Sequence, residues 1–269
     1  MKNTEKAIEY CKIGLNCPFV RTGNLFDLSK RLAKLIKEKS VGFELSFRHI
    51  SYKMDQKIES KSGPLLFKAA DGSSCSVEQF ALHAYLKEWP CGLYCENSLF
   101  STLFGLAFYD ILFDDSVPFA FRTAYQSHPL DLFHDSFYSS RKSAIEDRLA
   151  EIVHSLDFFI TRLSDIYANH NKEWIVGVSW DIPLDSLVEI CHCLKGERLA
   201  KIFKFYAEDY RNARSGLPDL VVWNPVFSLI CFVEVKSDND RLSSKQKFWL
   251  EFLKMNDLDA EVCKVTKEQ

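Results

Sequence analysis

Asp219, Glu234 and Lys236 are the residues whose types and spacing can do chemistry together. They stand in GLPDLVVWNPVFSLICFVEVK, residues 216–236. Leu220–Trp223 and Leu229–Val235 read there as two β-type runs around a turn at Asn224-Pro225. A hairpin of this kind returns Glu234 to the neighbourhood of Asp219. Side chains two apart on a strand share a face, so Glu234 and Lys236 point together while Val233 and Val235 point into the core. Two carboxylates beside an ammonium suit phosphodiester hydrolysis. Such oxygen ligands hold Mg2+ or Mn2+, which activates water and neutralises charge growing on phosphorus. The lysine orients that water or stabilises the transition state. An exposed, salt-bridged hairpin shows the same pattern. What favours chemistry is that these charges end strands that are otherwise strongly apolar.

The elements that position this hairpin can be traced along the chain. Residues 4–13 and 24–38 predict helices. The second carries Leu25, Leu28, Leu32, Leu35 and Ile36 on one stripe, with Lys30, Arg31, Lys34, Lys37 and Lys39 around it. That basic face is either solvated or laid on a phosphate backbone. Residues 41–75 read as irregular or short-stranded, with turn signals at Ser62-Gly63-Pro64 and Asp71-Gly72. They mark a boundary between a helical and irregular segment, 1–75, and a second unit, 76–269. Ser76 opens a helix with Glu78 in its first turn. Residues 98–113 predict a buried helix, 136–166 one or two helices, and 183–194 and 196–211 two more. A helix over 243–255 and a strand over 261–265 close the chain. Strand–turn–strand–helix–strand after a long helical stretch indicates an α/β core.

Composition narrows the function classes. The chain has 269 residues, 47% hydrophobic and 26% charged, which fits a globular protein of one large domain or two small ones. Its net charge of −3 gives no general basic excess, so any affinity for nucleic acid must come from local clusters. The nine cysteines are irregularly spaced, and neither Cys91/Cys95 nor Cys191-His192-Cys193 has a second half at zinc-finger spacing. They read as buried, reduced thiols. No signal peptide and no membrane-length apolar run is visible, which points to a cytoplasmic or nuclear protein. No GxGxxG or Walker-type run supports nucleotide binding.

A longer set of segments carries a resemblance. GLPDLVVW followed by VEVKSDNDRLSSKQKFWL is similar to the virus-type replication-repair nuclease (VRR-NUC) domain of the PD-(D/E)xK superfamily, in the form found at the C-terminus of the Fanconi-associated nuclease family. The likeness extends to ENSLFSTLFGLAFYDILF at 96–113, to VPFAFRTAYQSHPLDLFHDSFYSSRK at 117–142 and to FYAEDYRNARSGLPD at 205–219. It implies a restriction-endonuclease-like fold, a small mixed sheet flanked by helices with a helical N-terminal part. It implies Glu96, Asp219 and Glu234 as ligands of Mg2+ or Mn2+, the Val235 carbonyl as a further ligand, and Lys236 as the catalytic lysine. Glu96 alone would read as an acid favoured by the dipole of the helix it precedes. Gln246 matches the family's motif glutamine and also completes a Ser-x-x-Gln capping box with Ser243. Two departures are plain. Cys95 and Asn97 flank Glu96 where the family has Gly, and Ser237-Asp238 follows the lysine where Gly-Pro is common.

The activity implied is structure-selective cleavage of flapped, nicked or branched DNA. It comprises 5′-flap endonuclease and 5′→3′ exonuclease action in interstrand cross-link repair, in the nucleus, or in the cytoplasm of a prokaryote. The family's zinc finger and SAP domain are not in these residues, and the first 40 match the end of its helical-repeat segment. The alternatives are a non-catalytic or truncated DNA-binding paralogue and a junction-resolvase-like nuclease. Arg211 and Arg214 before the Asp219 strand, with Lys245 at a helix N-terminus after the Glu234 strand, are placed to hold a DNA 5′-phosphate. Surface pairing with Asp238, Asp240 or Glu208 is the other role open to these cations.

Overall fold

The structure, a computed structural model, describes residues 2–17, 20, 22–37, 45–53, 57–58, 66–68, 73–237 and 240–268. Lys39, the turn signals at Ser62-Gly63-Pro64 and Asp71-Gly72, and Asp238, all named above, lie outside them. The described chain runs α1 (Lys2–Leu15), α2 (Thr22–Ile36), β1 (Ser46–Tyr52), β2 (Lys57–Ile58), β3 (Leu66–Lys68), β4 (Ser74–Cys75), α3 (Val77–Tyr85) and β5 (Cys91–Tyr94). Helices follow: α4 (Ser98–Ala107), α5 (Tyr109–Leu112), α6 (Ser136–Ser140), α7 (Lys142–His154), α8 (Leu156–Asn169), α9 (Leu184–Leu194), α10 (Gly196–Glu208) and α11 (Tyr210–Ala213). The last four elements are β6 (Leu220–Asn224), β7 (Leu229–Ser237), α12 (Ser244–Met255) and β8 (Asp259–Lys267).

The main sheet has five strands in the order β1-β8-β7-β6-β5. The hairpin β6–β7 is antiparallel and registers Leu220 on Val233, while β8 runs parallel to β7 and β1 parallel to β8. This is the small mixed sheet flanked by helices expected above. β1 comes from the stretch 41–75, so the sheet runs across the division at residue 75: Ser46 lies opposite Glu261 and Tyr52 opposite Lys267. Two of the predicted helical stretches are divided more finely than their patterns suggest. The stretch 98–113 breaks at Phe108 into α4 and α5, and 136–166 holds parts of three helices.

Both faces of the sheet are covered, and this explains the near-continuous apolar runs of β6 and β7. Val221, Trp223, Ile230 and Phe232 face a large helical layer in which Phe100, Phe104, Phe203, Tyr206 and Trp249 pack. Leu220, Val222, Val233 and Val235 face a smaller layer with Tyr52, Phe67 and Tyr85. The expectation of one core face is corrected by this second layer. Glu234 shares the face of Phe232 and is 0% exposed. The basic helix α2 is docked rather than free along its whole face: Lys30 pairs with Glu251 of α12 at 2.6 Å, and Phe26 meets Phe248 edge-on. Buried thiols fit seven of the nine cysteines; Cys17 and Cys91 are partly exposed, and His192 is exposed between the buried Cys191 and Cys193.

Candidate active site

Three elements converge at one end of the sheet because of how β6 begins. Pro218 precedes Asp219, and the register of the hairpin carried two steps past Leu220 on Val233 puts Pro218 opposite Val235. Proline has no N–H to return to the ladder. The Val235 N–H instead donates to Asp219 Oδ2 at 2.8 Å, and the Val235 carbonyl, which leaves a strand on the same side as its N–H, faces the same end. The Asp219 carbonyl accepts from the N–H groups of Cys95 and Glu96 at 2.9 and 3.0 Å. β5, paired with β6 through Tyr94 on Leu220, thereby delivers Glu96 to Asp219 across more than a hundred residues of chain. Asn97 closes the join: its Oδ1 accepts the Leu217 N–H at 3.2 Å.

α12 supplies the third side. Ser243 and Gln246 form the capping box, with the Ser243 N–H donating to Gln246 Oε1 at 2.9 Å. The other end of the same amide reaches the site, where Gln246 Nε2 donates to Glu234 Oε1 at 2.6 Å. One amide thus makes both the cap bond and a bond to Glu234. Gly216 allows this approach. Its φ is +85°, and a Cβ there would lie 2.6 Å from Lys245 Cβ and 2.9 Å from the Lys245 carbonyl carbon.

The electrostatics of this end are unusual for a folded interior. Burial, and then the charge of Asp219, push the Glu234 carboxyl up to about 7, while Lys236 at 2.7 Å opposes the rise. Burial pushes Asp219 up to about 6 against the pull of the Val235 N–H and Lys236, and Glu78 and Glu96 add to the rise. Glu78, in the first turn of α3, is thus a fourth acid near the site. Sequence pattern read it only as a helix-start residue.

Glu96 is exposed, at φ +37°, and its carboxylate accepts from the Tyr94 hydroxyl at 3.0 Å and Asn97 Nδ2 at 3.3 Å. It stands outside α4, whose N-cap Asn97 makes no side-chain cap bond. Among the described residues, no three acidic, His or Cys side chains are closed into an ion cage. One atom nevertheless calls for a cation. Glu234 Oε2 is buried with no hydrogen-bond partner. A carboxylate oxygen left so in a low-dielectric interior is costly. With Asp219 and the Val235 carbonyl on the same end, it makes an all-oxygen donor set of the kind that suits Mg2+ or Mn2+.

The three cations singled out above fall in two places. Arg214 is exposed, stacks over Phe133 at 5.4 Å and lines a cavity of about 560 Å³ with Tyr94, Glu96, Ser101 and Gly177. Lys245 donates to Ser215 Oγ at 2.7 Å, and Ser215 lines that same cavity. Arg211 is exposed in α11 and does not line it. Of the acids named as rivals, Glu208 pairs with Lys204 at 3.8 Å and Asp240 accepts from Ser237 Oγ at 2.5 Å.

A mixed sheet whose central hairpin ends in Pro-Asp and Glu-Val-Lys defines the PD-(D/E)xK class of fold. Residues 160–267 match the family model described as the VRR-NUC domain. The Fanconi-associated nuclease 1 homolog of Schizosaccharomyces pombe is 36% identical over 97% of this chain and 38% of its own length. Fanconi-associated nuclease 1 of Homo sapiens is 37% identical over 98% of this chain and 28% of its own. A crystal structure of paFAN1 bound to 2nt 5′-flap DNA with a gap superposes with a TM-score of 0.77 at 23% identity, covering 98% of this chain and 47% of that one. The chain thus carries a VRR-NUC domain at 160–267 and is similar over nearly all of its length to Fanconi-associated nuclease 1 proteins. It spans 38% or less of the length of the two curated relatives just described.

Proposed function

We propose that this chain is a divalent-metal-dependent, structure-selective DNA nuclease whose hydrolytic centre is Asp219, Glu234, Lys236 and Glu96. One observation carries the reading: Glu234, wholly buried at the end of the sheet, has one oxygen held by Lys236 and Gln246 and the other without a partner. Such an arrangement does nothing for stability and is suited to a cation. When bound, Mg2+ or Mn2+ supplies charge neutralisation at phosphorus and a nucleophile at neutral pH. Asp219, Glu234, the Val235 carbonyl and Glu96 are the residues to hold it. Lys236 then orients the attacking water and stabilises the charge growing on the phosphoryl oxygens. Gln246 fixes the Glu234 rotamer, and the buried faces around it keep the site's water content low.

The substrate proposed is DNA with a 5′ flap, a nick or a branch, trimmed 5′→3′ in cross-link repair in the nucleus. The similarity to Fanconi-associated nuclease 1 and the flap DNA held by the superposable protein support this. Arg211, Arg214 and Lys245 are the proposed counter-charges for a 5′-phosphate. The decisive assay uses end-labelled 5′-flap DNA with Mn2+ or with EDTA. Cleavage with Mn2+ alone, lost in Asp219→Ala, is the expected result; metal-independent or absent cleavage by the folded chain overturns the reading. The 5′-phosphate role predicts that Arg214→Ala with Lys245→Ala lowers the ratio of single-turnover rates on 5′-phosphorylated and 5′-hydroxyl flaps. An unchanged ratio leaves these cations as general backbone contacts, whose loss flattens the salt dependence of binding.

A further inference from the structure

Two large aromatic side chains stand in water beside the cavity that Glu96 lines. Tyr125 is 91% exposed and Trp174 is 82% exposed. Single exposed apolar residues are ordinary, but these two lie on loops that are bonded together at one point. The Val176 N–H donates to the Ser127 carbonyl at 3.0 Å, two residues from each aromatic. The next residue, Gly177, lines the cavity with Glu96 and Arg214. Three residues of chain reach at most about 11 Å, so Trp174 stands within that distance of the cavity wall.

The base under these rings is rigid. Trp180 Nε1 donates to the Glu173 carbonyl at 2.8 Å and closes the loop that bears Trp174. The Tyr210 hydroxyl donates to the Val176 carbonyl at 3.4 Å. Gly177, at φ +77°, packs so closely that a Cβ would lie 2.6 Å from the Tyr210 hydroxyl oxygen. The loop that bears Tyr125 is folded on Gln126, whose Oε1 accepts the N–H groups of Arg122 and Thr123. Rings displayed on a fixed base lose little freedom when something stacks on them.

The surroundings identify the chemistry of the occupant. The cavity wall is hydroxyl- and amide-rich, with Tyr94, Asn97, Ser98 and Ser101, and Arg214 is its cation. Sugar and phosphate suit that wall, and flat bases suit the rings outside it. Aromatic platforms beside a cationic track are the recognition mode of single-stranded nucleic acid. We propose that Tyr125 and Trp174 form a stacking rim for unpaired bases of the DNA strand that enters the Glu96 cavity. The proposal rests on the reading that DNA reaches Glu96.

The test compares the 269-residue chain with its variants by fluorescence anisotropy in Ca2+, on two DNAs. One carries a 5′ flap of ordinary nucleotides; the other carries the same flap with abasic sites. The unaltered chain binds the base-bearing flap about tenfold more tightly or better, the scale of one base stacked on an aromatic ring. Tyr125→Ala with Trp174→Ala removes this preference, and the pair of Phe substitutions keeps most of it. Phe227→Ala leaves it unchanged. Phe227 is 71% exposed at the tip of the β6–β7 hairpin, the end of the sheet away from Asp219, and controls for loss of any exposed ring. A base preference that survives the double Ala variant overturns the proposal. So does an equal loss of affinity for both DNAs, which assigns the rings to general contact. No turnover is needed. A chain that cuts nothing in Mn2+ yet keeps the base preference overturns the nuclease reading and leaves the stacking rim standing.

Discussion

The helical layer and the open end of the sheet both bury charge, and they do so in opposite ways. In the helical layer every buried guanidinium serves the fold. Arg141 pairs with Asp131 at 2.7 Å and donates through Nε to the Ile111 carbonyl at 3.1 Å, and Arg148 donates to the Ala107 carbonyl and pairs with Asp110 at 2.7 Å. Ala107 and Ile111 lie at the ends of α4 and α5, where helix carbonyls lack an intrahelical donor. The two arginines cap those ends and join α7 to them. At the end of the sheet, by contrast, Asp219 and Glu234 share one lysine, Lys236, and Glu78 and Glu96 add further negative charge around them. Opposite charges brought together stabilise a fold. Like charges brought together destabilise it, and a ligand accounts for their presence.

That contrast predicts mutational effects that separate by readout. Arg141→Ala leaves the partly exposed Asp131 without its charge partner and the Ile111 carbonyl without its donor, and water reaching Asp131 keeps the cost below the roughly 3–5 kcal/mol of a fully buried pair. Urea denaturation monitored by circular dichroism should show a midpoint well below that of the parent, with cleavage per folded molecule retained. An undiminished midpoint would remove the stabilising half of the comparison.

The complementary substitutions are Asp219→Ala, Glu234→Gln and Lys236→Ala. Each should reduce single-turnover cleavage by roughly 10²–10³-fold or more while leaving the midpoint near or above that of the parent. Activity within a few-fold of the parent for any one of them would remove that residue from the centre. Glu96→Gln belongs with this group; a fully active variant would leave Glu96 only its bonds to Tyr94 and Asn97.

A smaller effect is expected in the pH dependence of stability. The folded-state values of Asp219 and Glu234, about 6 and about 7, are raised above those of free carboxyls. The folded state therefore holds protons that the unfolded chain has released. These two groups favour folding fully at pH below the ordinary carboxylate range, and that contribution is lost as pH rises towards 7. In EDTA, thermal melting of Glu234→Gln relative to the parent should improve between pH 5 and pH 8. Mn2+ should raise the parent's melting temperature more at pH 8 than at pH 5, because the ion binds the deprotonated acids. A flat difference across that range would contradict the raised values.

The smallest predicted change is at Gln246. Gln246→Ala loses both its cap bond and its hold on Glu234. The Ser243 cap on the residue-246 backbone N–H survives, so the cap side loses one hydrogen bond, about 0.5–1.5 kcal/mol. Gln246→Glu can restore the cap bond but places a further like charge against Glu234. The Gln246→Glu variant should melt closer to the parent than Gln246→Ala does, yet cleave no better than it. Equal activity of the Gln246→Glu variant and the parent would separate α12 from the site.

Much of the chemistry was legible before any coordinates. Pro218-Asp219 and Glu234-Val235-Lys236 sit on apolar runs of strand length, and period-two alternation alone puts Glu234 and Lys236 on one face, as found. The Ser243–Gln246 box marked the start of α12 from its spacing alone. These signals are local: a strand, a turn and a cap are each specified within a few residues.

Everything that joins distant segments was decided by the tertiary structure. β5 is four residues long and begins Cys91-Gly92, with no alternation to read; it becomes a strand because β6 offers it an edge. β1 lies in a stretch that reads as irregular or short-stranded, and its place in the main sheet is set by the open edge of β8 beside it. Glu96 meets Asp219 through two backbone hydrogen bonds, and Glu78 arrives with α3, so neither position carries a sequence pattern of its own. Burial was the least legible quantity. Strand alternation puts Glu234 on an open face, and it lies instead beneath a helical layer. A strand's alternation says which residues share a face, whereas what covers that face depends on helices from α4 far upstream to α12 just downstream.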